Sequence, residues 1–123
     1  MYHFYEFLFQ KLFPTASIDE LKRYRGSLEP SNYEMYQAVS GAMYSKEYKL
    51  FQLTDKELNQ LGEDNSSQQG YMRRTEDAIS DSSNDNKKGF YEAWETLEKE
   101  EKGIQFEVLR RKFLHERENI HSD

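Results

Sequence analysis

The sequence predicts an all-α fold: a compact bundle of five to seven short helices with a polar flexible insertion. Three observations predict it. Capping-box patterns stand at Ser17-x-x-Glu20, Ser31-x-x-Glu34 and Thr54-x-x-Glu57, each offering a hydroxyl to an exposed amide and a glutamate to the cap's own amide. Glycines follow two of the short stretches so opened, Gly26 and Gly62, where a helix is expected to close. Apolar residues also recur at helical spacing in the first, third and last segments.

The first helix is expected over residues 2–13, where Tyr2, Phe4, Tyr5, Phe7, Phe9, Phe13, Leu8 and Leu12 nearly surround the axis and Pro14 stops it. A helix apolar on most sides is buried on most sides, in a core or between two copies of the chain. A second helix over 18–25 turns Ile18, Leu21 and Tyr24 inward. Its cluster Lys22, Arg23 and Arg25 sits where cations complement the helix dipole. The third helix runs from Asn32 to about Leu50, with a stripe of Met35, Tyr36, Val39, Ala42, Met43 and Leu50. Tyr33, Tyr44 and Tyr48 form its second face. Gly41, in the middle, marks either close helix packing or a split in the segment. A short fourth helix follows Thr54, with Leu58 and Leu61 inward.

Residues 62–89 change character. Gly62–Gly70 and Ser80–Gly89 are polar runs with too little apolar surface to offset the entropy of ordering, and Tyr71–Ile79 between them reads as a single short helix. The last helical region covers 90–118. Phe90, Ala93, Trp94, Leu97, Ile104 and Val108 share one face, while Phe106, Leu109 and Phe113 share another. The change falls at Gly103, so a kink or break is expected there. The organisation is one helical domain over 1–123: N-terminal helices to residue 61, a polar insertion over 62–89 and a C-terminal helical region over 90–118. Its core is expected to join the first helix, the Met35–Leu50 stripe and the Phe90–Val108 face.

Hydrophobic residues make up 36% of the chain and charged ones 33%, yet aromatics reach 15%, with nine Tyr and eight Phe. That is more aromatic surface than one small core requires, and tyrosine serves rims and interfaces. The net charge of -6 argues against sequence-independent binding to nucleic acid and permits a basic protein surface as partner. With no cysteine, disulfides and thiolate metal sites are excluded. No stretch has the length of a membrane span. The opening run carries Glu6 and Lys11 and lacks a basic leader, so the expectation is a cytoplasmic protein.

Candidate chemistry is sparse. Asp81, Ser83, Asp85 and Glu92 stand at positions one, three, five and twelve of an EF-hand-like calcium loop, with Asn86 where glycine belongs. A register starting at Asn84 gains Gly89 at position six but loses the first aspartate. His3, His115 and His121 lack the spacing of a helical zinc pair. No phosphate-binding glycine loop, nucleophile elbow or local triad pattern is present, and the glutamates of 92–101 read as a solvated face, so no enzyme is expected. A helix-turn-helix through Ala38 and Gly41 is one residue short of the usual interval and offers only Lys46 and Lys49 to phosphates.

Phe4-Tyr5-x-Phe7-Leu8 resembles the opening of the YozE-like family of small helical proteins. The rest of the chain departs from that pattern, and no residue role follows from it.

The expected function is that of a non-enzymatic adaptor, assembly factor or inhibitor acting on another protein, with Tyr33, Tyr44 and Tyr48 as the contact surface and the first helix as the alternative, also for self-association. Acidic, cysteine-free helical chains of this size are common among mobile-element regulators. The alternatives are a calcium-binding protein using 81–92 and a nucleic-acid-binding regulator. No cofactor is expected.

Overall fold

The computed structural model describes residues 2–80 and 84–121, with side chains over 3–76 and 87–117. Among the described residues the fold is all-α, with five helices, one 3-10 turn and no strand. Helix α1 runs over 2–15 and comprises an α-helical turn Tyr2–Phe7, a π-helical turn Leu8–Leu12 and a last turn Phe13–Thr15. Helices α2 (Ile18–Ser27) and α3 (Tyr33–Glu47) follow, then the 3-10 turn Leu50–Gln52, α4 (Asp55–Ser80) and α5 (Asn84–His121).

Pro14 does not stop α1 at Phe13. Proline lacks an N–H, and its ring crowds the carbonyl four residues back. Here the preceding turn widens to π geometry, with Phe13 N–H donating to the Leu8 carbonyl, and the helix ends two residues later at extended Ala16. Two of the three capping boxes form. Glu20 N–H donates to Ser17 Oγ at 3.1 Å while Ser17 N–H donates to Glu20 at 3.3 Å. Glu57 N–H donates to Thr54 Oγ1 at 3.1 Å and Thr54 N–H to Glu57 at 2.9 Å, and these bonds hold the Glu57 carboxyl below its ordinary range. The Ser31 box does not form. Helix α3 starts one residue later, behind Asn32, which caps with no side-chain bond.

The glycines correct the reading more sharply. Neither Gly26 nor Gly62 ends a helix; both lie inside one, without positive φ. Gly103 causes no break either, since α5 passes through it. A Cβ at Gly103 would stand 2.8 Å from a Leu50 methyl and 3.1 Å from Ser45 N, and one at Gly41 would stand 2.8 Å from the Lys102 carbonyl oxygen. Both glycines therefore mark close approach of α3 and α5. The corner after α3 is turned instead by Lys49 at φ 58, a left-handed position usually given to glycine.

The chain divides into two units, one of residues 1–52 with 102–123, the other of residues 53–101. In the first, the core gathers Phe4, Leu8, Phe9 and Phe13 of α1, Leu21 of α2, Val39, Ala42 and Met43 of α3, and Phe106 of α5. Phe9 meets Phe106 edge-on at 5.5 Å and Phe113 at 5.2 Å, and Phe13 lies 4.9 Å from Phe106. Edge contacts of this kind suit the ring quadrupole. Of the Phe90–Val108 face expected in this core, Ile104 is buried but Val108 is half exposed, and Phe106 and Phe113 enter the aromatic cluster in its place. Ile18, expected inward, is exposed. Arg25 packs on α3, its guanidinium 4.9 Å above the Tyr36 ring and donating to Ser40 Oγ at 3.0 Å.

Among the described residues of this unit one charged group, Glu107, is fully buried. Glu107 accepts from Ser45 Oγ at 2.9 Å, from Arg110 at 2.8 and 3.0 Å and from Arg111 at 3.2 Å. Arg111 also donates to the Leu50 carbonyl at 3.3 Å. A buried carboxylate needs such company, because desolvation otherwise costs several kcal/mol, of the order of 3–5.

The second unit is a helical hairpin of α4 and the first part of α5. The described part of the polar tract, residues 62–80 and 84–89, is helical, and residues 81–83 lie outside the described residues. The run Gly62–Gly70 orders by hydrogen bonds across the hairpin rather than by apolar burial. Asn65, 3% exposed, donates to the Leu97 carbonyl at 3.0 Å and to Glu100 at 2.9 Å. Gln69, one turn on and 5% exposed, donates to Asn65 Oδ1 at 2.6 Å and to Glu101. Leu58 is buried as expected, with Leu61 half-buried. Thr75 is mid-helix, and its hydroxyl donates back to the Tyr71 carbonyl at 3.1 Å.

Candidate functional site

In the first unit a groove of about 360 Å³ opens between α1, α3 and the later part of α5. Helix α3 contributes Tyr33, Glu34, Gln37 and Ala38 from its first turns. Helix α5 contributes Lys102, Gln105, Phe106 and Leu109, and α1 contributes Tyr5. Residues 102, 105, 106 and 109 share one α-helical face, as do 33, 34, 37 and 38, so two helix faces form its sides.

Its floor is apolar and its edges are polar. Phe106 is 4% exposed and belongs to the core, while Leu109 is 41% exposed. Tyr5 stacks on Phe9 at 5.6 Å and donates to Glu34 Oε1 at 2.7 Å. Burial pushes the Tyr5 phenol up to about 12, and the hydrogen bond to Glu34 and that residue's negative charge add to the effect. The phenol is thus a proton-bearing donor at neutral pH. Tyr33 stands at the mouth, 69% exposed. With its apolar floor, Tyr–Glu pair and neighbouring Lys102, the groove can receive an apolar side chain flanked by hydrogen-bonding groups.

The three tyrosines chosen from the sequence are treated differently by the fold. Tyr33 lines the groove. Tyr44 and Tyr48 are half-buried and do not line it. Eleven residues of helix separate Tyr33 from Tyr44, about 16 Å along the axis, and the Tyr44–Ser45 backbone is where Gly103 packs. Tyr5 belongs to the first helix, the alternative surface of the sequence reading, whereas Phe106 and Leu109 of α5 are groove residues that sequence reasoning did not assign to a site. For Phe106 the one signal was the aromatic excess, which does not say which rings share a hollow, and for Leu109 it was its place on one face with Phe106 and Phe113.

Of the calcium pattern, Asp81 and Ser83 lie outside the described residues, and so does the side chain of Asp85. Glu92 is exposed on α5, and residues 84–92 are helical. A helix spreads those positions around its axis, whereas an ion loop wraps them about one point. Among the described residues no three His, Asp or Glu side chains stand close enough to share a metal ion. His3 and His115 are exposed. Gly41 lies in the middle of unbroken α3, so no helix-turn-helix corner exists there. Among the described residues no helix is long and apolar enough to cross a membrane.

No protein-family model, curated protein or solved structure matches this chain, and the likeness of Phe4–Leu8 to the YozE-like opening gains no support.

Proposed function

We propose that this is a non-enzymatic interaction protein, a small acidic adaptor, assembly factor or inhibitor, that binds another protein through the groove bounded by Tyr33. The observation that carries the reading is the combination of a 69% exposed tyrosine with a 41% exposed leucine at one hollow whose floor is core phenylalanine. Large amphipathic rings beside an apolar hollow are the usual anchors of a protein interface. Tyr44 in α3 and Tyr48 at its C-terminal cap, both half-buried, are the remaining tyrosines of the proposed surface.

The test is affinity capture from the native host with wild-type protein, Tyr33→Ala and the triple alanine variant of Tyr33, Tyr44 and Tyr48, each first shown to retain its helical content. Mass spectrometry identifies what is held. A partner captured by wild type and lost from Tyr33→Ala supports the groove. A partner equally retained by the triple variant removes the surface from consideration. Calcium-dependent heat in titration calorimetry, or salt-dependent retardation of nucleic acid, would favour the other two readings.

A further inference from the structure

We propose that the helical hairpin of residues 53–101 carries a binding site for an alkylammonium cation, built from Phe90, Tyr91 and Trp94 of α5 with Glu76 of α4 at its edge. The four residues, with Arg73, line a cavity of about 260 Å³. This is smaller than the roughly 300–1,000 Å³ pockets that hold whole drug-sized ligands, and it suits a head group.

The rings are arranged as walls. Phe90 and Tyr91 meet at 5.3 Å with an interplanar angle of 85°, so their planes stand nearly perpendicular. Trp94 follows within one turn of the same helix, and its indole N–H donates to Glu98, which fixes the ring. Tyr91 is 50% exposed, so the wall is reachable from solvent. Aromatic faces carry negative quadrupole density and attract cations, most strongly for an indole.

The chain already demonstrates the preference. The Arg73 guanidinium lies 5.6 Å from the centre of the Trp94 ring, and Gln69 accepts from it at 3.4 Å. One face of the indole is thus satisfied by an internal cation. The carboxylate of Glu76 adds a negative charge, opposite in sign to such a ligand.

The surroundings favour the same class of ligand. Residues 53–101 hold thirteen acidic and six basic side chains, a net of -7, while the rest of the chain holds ten acidic and eleven basic, a net of +1. The net negative charge of the protein therefore comes from this hairpin, which concentrates cations and repels phosphates. A trimethylammonium group fits these features best, because it is bulky, weakly hydrated and permanently charged. It can come from a free solute such as choline or from a trimethylated lysine of a protein. The site shares no residue with the Tyr33 groove and does not depend on it.

Trp94 is the only tryptophan in the chain, so its fluorescence reports on the cavity. The full chain is titrated at constant ionic strength with choline, with a short peptide bearing trimethyllysine, and with 3,3-dimethylbutanol, the uncharged counterpart of choline. A saturable change with a cationic probe and none with the alcohol is expected. Choline alone sufficing assigns a free solute; a response confined to the peptide assigns a protein side chain. Tyr91→Ala weakens binding by about tenfold and Glu76→Gln by about threefold, while Arg73→Ala tightens it by removing the internal competitor. The proposal is overturned by an equal response to the alcohol or by the absence of any saturable change in both wild type and Arg73→Ala. Undiminished binding by both Tyr91→Ala and Glu76→Gln overturns it as well.

Discussion

Tyr5 donates a hydrogen bond to Glu34 at 2.7 Å, and Glu34 is the residue that a capping box at Ser31 needs. The carboxylate is therefore spent on a contact between α1 and α3, and α3 begins behind Asn32 without side-chain help. A local motif yields here to a contact 29 residues away in sequence.

That bond has a pH signature. The Tyr5 phenol is raised from 10.0 to about 12, chiefly by burial and then by Glu34. The folded state thus keeps its proton where the unfolded chain begins to lose it. Stability from this pair is fully present below pH 10 and is lost as pH rises from there toward about 12. In a spectrophotometric titration one tyrosinate step is delayed to about pH 12. Tyr5→Phe removes that step and flattens the stability profile across the same window. An unchanged absorbance curve in the variant would assign the late step to another ring.

Gly41 and Gly103 make opposite predictions from Gly26. At the first two, a methyl meets backbone of the other helix or the Leu50 side chain at 2.8–3.2 Å, so Gly41→Ala and Gly103→Ala force α3 and α5 apart. The expected loss is about 1–3 kcal/mol, against a helix-propensity gain of about 1 kcal/mol. At Gly26 nothing lies within 4 Å of the added carbon, and the residue is helical. Gly26→Ala should raise stability by up to about 1 kcal/mol. Thermal melts of the three variants check the contrast; three shifts of the same sign would contradict it.

Glu107 predicts the largest single loss. Removing its carboxylate takes the Glu107 acceptor from half-buried Arg110 and Arg111, leaves Arg111 its bond to the Leu50 carbonyl, and removes the acceptor of the buried Ser45 hydroxyl. Glu107→Ala is expected to cost about 3–5 kcal/mol, with Glu107→Gln intermediate because one oxygen still accepts. Urea unfolding measures both. A loss below about 1 kcal/mol for the alanine variant would mean that the network is reorganised in solution.

Two of three helix starts, the all-α class and the burial of Leu21, Val39, Met43 and Leu58 were legible in the chain, because caps and helical periodicity act over four or five residues. The glycines were not. A glycine within a helix reads the same whether it ends the helix, bends it or lets a neighbour approach, and the difference lies in residues some 60 positions away. Trp94 and Phe90 were readable as one helical face, but their enclosure with Glu76 depends on the pairing of α4 with α5.

Short-range chemistry thus dictated where helices begin and which stripes are apolar. Which stripes meet, that Phe106 rather than Val108 enters the core, and that a polar run orders through Asn65 and Gln69 were left to the assembled helices. The reason is physical: caps and periodicity are satisfied within one or two turns, whereas a buried hydrogen bond or a close helix crossing has no energy until both partners are in place.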